Sequence, residues 1–219
     1  MKKVMMLCTV LLFLGITIQA QDRPDPEARK ILKDLKEVYD GYSSLAVDFD
    51  LTLDLRDQET EVQKGSLIQQ GDSYKVDVAE QVIYCNGDAI WLHLTDNNEV
   101  QINDITEDDE TDFLSPKDML KIYDSNDFYY AITEDKKVKG NRLVTIEFKP
   151  LDTDSEYSKM KLFVDASFRT MKKMEVFQKD GNNFILDIKK ITPNKKYNKD
   201  VFTFDASKYP GIYIEDLRL

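Results

Sequence analysis

The feature that most constrains this chain is a stretch of alternation, "LAVDFDLTLDL", over residues 45–55. Every odd position carries Leu, Val or Phe, and most even positions carry Asp or Thr. A period of two is typical of a β-strand with one apolar face and one hydrated face. The stretch therefore predicts a sheet whose apolar face either packs against the protein itself or holds an apolar ligand.

Short strands of the same kind follow along most of the chain. Segments such as "SYKVDV", "EVQIND" and "LVTIEF" alternate in the same way, and Asn86-Gly87 and Asp180-Gly181 indicate two hairpins. "DVFTFD", residues 200–205, is predicted as the last strand. This pattern, with so little helix, predicts a mainly β (α+β) fold built on an antiparallel sheet that curls or closes.

Two segments have the pattern of helices. Residues 26–42 repeat apolar side chains at three- and four-residue steps, with Asp25 as the N-cap and Gly41 at the end. A shorter helix is predicted within residues 115–123. Its small apolar face would consist of Met119, Leu120 and Tyr123.

The first twenty residues have the composition of a secretory signal peptide. Two lysines precede an apolar run that ends at Ile16, and Ala20 supplies a small residue for cleavage. The run is shorter than the ~20 residues of a membrane-spanning helix, although an uncleaved anchor is the alternative. We expect cleavage after Ala20, export, and a single domain over residues 21–219.

The net charge limits the binding partners that the chain can have, and the cysteine content limits its disulfides. The formal net charge of −11 disfavours binding to nucleic acid and to anionic lipid headgroups. After cleavage Cys85 would be the only cysteine, so we expect no internal disulfide.

The sequence offers little for catalysis. His93 is the only histidine, and neither a phosphate-binding loop nor a nucleophile motif occurs. One histidine and one cysteine are too few for a nitrogen or sulfur metal site, or for a triad not centred on His93. The acidic stretches 108–112 and 152–156 lack the spacing of a calcium loop. We predict no enzymatic activity, no cofactor and no metal site.

Several motifs occur in an order that resembles one family. "KGSLIQQGDSYKVDV" is followed by "YCNGDAIWLHL", in which an Asn-Gly turn precedes an aromatic residue. "SPKDMLKIY", "IEFKP" and "VFTFDASKYPGIYIED" come next. Together these segments resemble the LolA family, periplasmic carriers of outer-membrane lipoproteins, over nearly all of residues 21–219.

The resemblance implies an incomplete antiparallel β-barrel with a helical lid over an apolar cavity. The cavity would shield the acyl chains of lipoproteins or lipids during transfer from the inner to the outer membrane. The protein would be a periplasmic monomer, loaded by an inner-membrane ABC-type release complex and unloaded at an outer-membrane acceptor or at the membrane. The expected cavity residues are Val47, Phe49, Leu51, Leu53, Tyr74, Val76, Trp91, Met119, Leu120 and Tyr123.

One position departs from the family, and one alternative function stays open. Gln70 stands near the place of an arginine that holds the lid shut in well-described members. The alternative is a sensor that uses the same half-barrel to detect lipid or mislocalised lipoprotein and regulates an envelope signalling partner. The outer-membrane acceptor of the same fold is disfavoured, because it is lipid-anchored and this signal lacks the required cysteine.

Overall fold

The computed structural model describes residues 24–105, 120–123, 125 and 127–218. Within these ranges, twelve strands form one sheet in the order β12-β6-β5-β4-β3-β2-β1-β11-β10-β9-β8-β7. All neighbours pair antiparallel except β12 and β6, which pair parallel. The elements are α1 (Pro26–Asp40), β1 (Leu45–Asp54), β2 (Glu61–Gln70), β3 (Ser73–Val78), β4 (Gln81–Cys85), β5 (Ala89–Leu94), β6 (Glu99–Asp104), β7 (Phe128–Val138), β8 (Asn141–Pro150), β9 (Tyr157–Asp165), β10 (Thr170–Gln178), β11 (Asn183–Pro193) and β12 (Tyr213–Asp216).

Helix α1 forms as its sequence predicts. The Asp25 carboxylate accepts hydrogen bonds from the backbone N–H groups of Glu27 and Ala28, at 2.8 and 3.3 Å. The predicted apolar stripe is buried along the helix, and at its far end the Tyr39 hydroxyl accepts a hydrogen bond from the Met171 N–H. Burial raises the pKa of Tyr39 to about 12, so this hydroxyl stays neutral at physiological pH. The buried residues of the stripe are Ala28, Ile31, Leu32, Leu35 and Tyr39.

The sheet curls around this helix. One apolar cluster joins the α1 stripe to side chains from all eight strands between β3 and β7 in the sheet order. Eight flat strands would span roughly 34 Å, about three times the diameter of a helix. Because a single helix cannot contact so wide a flat surface, the sheet has to wrap around it. The predicted curled, mainly β fold is confirmed; the sheet is open, with β7 and β12 at its two ends.

The start of α1 also covers the β7 edge of the sheet. The Asp25 N–H donates to the Tyr130 carbonyl at 2.9 Å, and the Ile132 N–H donates to Asp25 Oδ2 at 3.3 Å. Arg142 on β8 bridges Glu27 and Asp135 at 2.8 and 2.6 Å. These contacts use backbone groups of β7 that would otherwise be open to another strand.

A short 3-10 helix, Leu120–Tyr123, packs beside α1 and β7. Leu120 and Tyr123 are buried in the cluster that contains the α1 stripe. The rest of the predicted lid helix, including Met119, lies outside the described residues. Of the helices in the described part of the chain, none combines the length and apolarity that a membrane span needs.

A second, smaller apolar cluster lies on the opposite face of the sheet. The segment after β11 crosses the outside of β4–β6, and Phe204 packs there against Tyr84, His93 and Tyr209. The His93 ring lies 4.5 Å from the Tyr209 ring and is almost fully buried. We call the α1 side the inner face and the side with this cluster the outer face.

The predicted strand "DVFTFD" is wrong. The segment instead contains two 3-10 turns, Lys199–Phe202 and Ala206–Lys208, and the last strand is β12. Phe202 and Phe204 are both buried, but Phe202 contacts Tyr197 whereas Phe204 contacts the β4–β5 hairpin. The apolar residues at alternate positions therefore serve two different contacts, not one face of a strand.

The replacement of Gly65 by alanine should destabilise the fold. A Cβ at this position would lie 2.4 Å from the ring of Phe49 and 3.1 Å from the Asp77 carbonyl oxygen. Because Phe49 is only 2% exposed, its ring has little room to move. We expect Gly65→Ala to lower the free energy of unfolding by about 1–3 kcal/mol in urea titrations. Gly41→Ala is the control, since its Cβ would meet only ordinary contacts at 3.4 Å; equal losses in both variants would contradict this packing.

His93 should make stability depend on pH. Its cross-strand neighbours are Val82 and Val100, its Nδ1 has no hydrogen-bond partner among the described residues, and burial lowers its pKa. The ring therefore takes up its proton at a lower pH in the folded state than in the unfolded chain, where histidine has its ordinary pKa of about 6.5. Unfolded protein then binds more protons, so stability should fall as the pH drops below that value, by at most about 1.4 kcal/mol per pH unit. Urea titrations between pH 7.5 and 5.5 should show a smaller slope for His93→Phe, and identical slopes would contradict the prediction.

Candidate functional site

Strand register defines the inner face of the sheet. Residues directly opposite each other on antiparallel strands point to the same side. One row of side chains crosses four neighbouring strands. Its members, each opposite the next, are Val47 on β1, Leu67 on β2, Val76 on β3 and Ile83 on β4. In the other direction, Leu53 lies opposite Phe184 on β11. The apolar side chains of "LAVDFDLTLDL" therefore belong to one surface that runs from β11 to β5.

Helix α1 occupies only part of this surface. Val47, Phe49 and Val76 are 1–2% exposed and belong to the helix-containing cluster. Further along the strands, apolar side chains on the same face are only half-buried. We call these residues the inner apolar strip: Leu51, Leu53, Val78, Ile83, Leu92 and Phe184.

Polar side chains border the strip. On β2, the inner-face positions opposite Leu53 and Leu51 are Glu61 and Gln63. On β6, the inner-face position opposite Leu92 is Gln101, whose amide donates to Glu99 at 2.9 Å and to Glu215 at 3.4 Å. The inner face thus offers an apolar surface with hydrogen-bonding groups beside it, an arrangement that suits a ligand with an apolar part and a polar part.

An open depression of about 440 Å³ lies between α1 and the 3-10 helix. It is lined by Pro26, Arg29, Lys30, Lys33 and Tyr123. The predicted apolar cavity and the lid role of the segment around Tyr123 stay predictions.

Most of the expected cavity residues lie together, but some of them are buried and others are only half-buried. Val47, Phe49, Val76, Leu120 and Tyr123 are buried, and Leu51 and Tyr74 are half-buried against the same cluster. Leu53 is half-buried on the same face through its pairing with Phe184. Met119 lies outside the described residues.

Trp91 lies on the other side of the sheet. It pairs with Tyr84 and Ile102 and packs in the outer-face cluster beside Phe204. Its assignment to the inner face was therefore wrong. The β4–β5 register decides this placement, because alternation alone fits either face equally well.

Four residues of the inner apolar strip are not among the expected cavity residues, and one of them, Val78, continues the β3 row of Tyr74 and Val76. Ile83 and Leu92 face each other across the β4–β5 hairpin, and Phe184 faces Leu53. A signal for Leu92 was present, since Ile90, Leu92 and Leu94 form the alternative apolar row of β5. Phe184 follows the Asp180-Gly181 turn, but its partner depends on a pairing between strands that are far apart in sequence.

Gln70, at the place of the family arginine, contacts the C-terminal segment. Its Oε1 accepts from the Tyr197 N–H at 3.0 Å, and its Nε2 donates to the Tyr197 carbonyl at 3.4 Å. Gln70 therefore fastens the chain after β11 to the end of β2.

Solved structures of other proteins resemble this chain to different degrees. An uncharacterized conserved protein from Thermus thermophilus is 6% identical, with a TM-score of 0.55, and the match covers 87% of this chain and 99% of that chain. A LolA superfamily protein from Nitrosomonas europaea is 14% identical, with a TM-score of 0.40 and coverages of 81% and 97%. A MucA/MucB complex from Pseudomonas aeruginosa contains a chain that is 13% identical, with a TM-score of 0.42 and coverages of 82% and 62%. At such low identities, the likeness to the Thermus protein shows the fold alone.

No curated protein matches the sequence. The sequence does match the family model described as "Outer membrane lipoprotein carrier protein LolA", over residues 40–205. The match runs from the end of α1 through β1–β11 and into the segment that carries Phe204. This chain belongs to the LolA family.

Proposed function

We propose that this protein is a carrier that covers the acyl chains of a lipoprotein or lipid with its inner apolar strip. The observation that carries the proposal is the half-buried strip itself, bordered by Glu61, Gln63 and Gln101. Val47 and Phe49 on the same face are buried in the cluster that contains α1, whereas the strip residues keep part of their surface exposed to water. The family's description as a lipoprotein carrier supports the same proposal.

The free energy of removing apolar groups from water favours the binding of an acyl chain. Each methylene that leaves water contributes about 0.8 kcal/mol, so an acyl chain gains several kcal/mol from covering part of the strip. This contact requires no directional bonds and no reactive side chain. A carrier with an apolar face can therefore do its work without catalysis, and we propose a binding role and no enzymatic activity.

The route of the cargo follows from the same proposal. Residues 1–20 would direct the chain to the periplasm and be removed after Ala20. An inner-membrane ABC-type complex would load the acylated cargo, and an outer-membrane acceptor or the membrane would receive it. Leu120 and Tyr123 would be displaced, or shift with α1, as the acyl chains enter.

Two neighbouring residues on β11 provide a matched test of the binding face. Phe184 faces inward opposite Leu53, whereas Ile185 faces outward opposite Thr52, and both side chains are half-buried. We expect Phe184→Asp to weaken binding of a dansyl-labelled, dipalmitoylated lipopeptide at least tenfold, because the acyl chain would have to desolvate a carboxylate. Fluorescence anisotropy measures the affinity.

Ile185→Asp is the control and should bind within about twofold of the wild type, since it changes the outer face. Thermal unfolding of both variants checks that the sheet is retained. Equal binding by the wild type and both variants would contradict an inner binding face. Carriage as opposed to binding is tested with spheroplasts, in which the protein should release an acylated lipoprotein into a water-soluble complex.

A further inference from the structure

Among the described residues, no strand pairs with the side of β12 that faces away from β6. Strand β12 pairs parallel with β6, and the N–H groups of Tyr213 and Leu217 donate to the Asn98 and Ile102 carbonyls, at 3.0 and 2.9 Å. In a strand, alternate residues direct their backbone groups to opposite sides. The N–H and C=O groups of Ile214 and Asp216 therefore point away from β6, at the end of the described sheet.

The two end strands of the sheet, β7 and β12, differ in the contacts that their outer backbone groups make. At the β7 end, Asp25 bonds to the backbone of Tyr130 and Ile132, and a register shift lies between Ile132 and Glu134. Such features hinder the addition of another strand. The described residues place no comparable contact on β12.

Exposed apolar side chains are concentrated at the β12 end. Eight large apolar side chains are exposed in the described part of the chain, and four of them lie here. Ile105 is 44% exposed, Tyr213 62%, Ile214 47% and Leu217 49%. Free backbone groups together with exposed apolar side chains are the properties of an edge that accepts a further strand.

The charge at this edge identifies the kind of partner. Strands β6 and β12 carry four carboxylates, Glu99, Asp104, Glu215 and Asp216, and no lysine or arginine. Arg218, which follows β12, pairs with Asp216 at 2.6 Å. Arg218 lowers the pKa of Asp216 to about 2, so that carboxylate is ionised at physiological pH. A second copy of β12 would bring its own Glu215 and Asp216 against this acidic edge, and like charges on paired strands repel. A basic strand would be attracted.

We propose that β12 binds an extended segment of a partner protein in which aliphatic and basic residues alternate, and that this segment adds a thirteenth strand to the sheet. Main-chain hydrogen bonds to Ile214 and Asp216 would provide affinity, and the acidic side chains would select the basic partner. This docking edge is separate from the inner apolar strip and goes beyond the carriage of acyl chains.

The test uses a ten-residue peptide of alternating valine and lysine, with an alternating valine and glutamate peptide as its counterpart. The wild-type protein should bind the lysine peptide at least tenfold more tightly than the glutamate peptide in anisotropy titrations. Ile214→Pro should reduce binding of the lysine peptide at least tenfold, because proline removes the outward N–H. The fold should be retained, since proline is tolerated on an edge strand where the N–H faces solvent.

Phe168→Ser is the control, because Phe168 is also an exposed apolar residue, at 65% against 47% for Ile214, but lies in the turn between β9 and β10. It should bind the lysine peptide as the wild type does, and Ile214→Pro should still bind the dipalmitoylated lipopeptide. Unchanged peptide binding by Ile214→Pro would overturn the proposal, and so would equal binding of the two peptides. Self-association of the wild type that Ile214→Pro abolishes would also overturn it, because the occupant would then be a second copy.

Discussion

The packing of the α1 stripe against the inner face is the contact on which the rest of the structure depends. Leu32, Leu35 and Tyr39 are fully buried against side chains from strands on both sides of the β1–β11 pair. That pair joins the N-terminal strands β1–β6 to the C-terminal strands β7–β11, so the helix holds the two halves of one open sheet in a curl. Without it, a continuous apolar face would lie in water at a cost of roughly 25 cal/mol for each Å².

The same contact explains why the inner face has two kinds of surface. Where α1 lies, Val47 and Phe49 are part of an ordinary core, and Gly65 lets the Phe49 ring approach β2 closely. Beyond the helix, Leu51 and Leu53 continue the alternation without a complete cover. The alternation in "LAVDFDLTLDL" therefore spans two environments, because one half of its apolar face is buried in the core and the other half is only half-buried. In the proposed function, this second half contacts the acyl chain.

Local sequence rules predicted much of this architecture. The Asp25 cap, the α1 stripe and the strands with clear alternation form where the sequence indicates, with "DVFTFD" as the exception. The errors share a cause, which is that a pattern along one segment does not specify its partner. Trp91 faces outward because of the β4–β5 register, and Phe204 belongs to no strand but packs on His93. The parallel pairing of the four-residue strand β12 likewise depends on β6, which lies over a hundred residues earlier.

The most direct test of the account is to locate a bound acyl chain on the protein. A lipopeptide with a nitroxide near the end of one acyl chain can be added to protein that carries ¹³C-labelled Ile, Leu and Val methyl groups. The account predicts paramagnetic broadening of the methyl signals of Leu53, Ile83 and Leu92, while those of the outward-facing Ile68 and Ile185 stay sharp. Broadening of the outer-face methyls, or of none in the strip, would contradict an acyl-binding inner face.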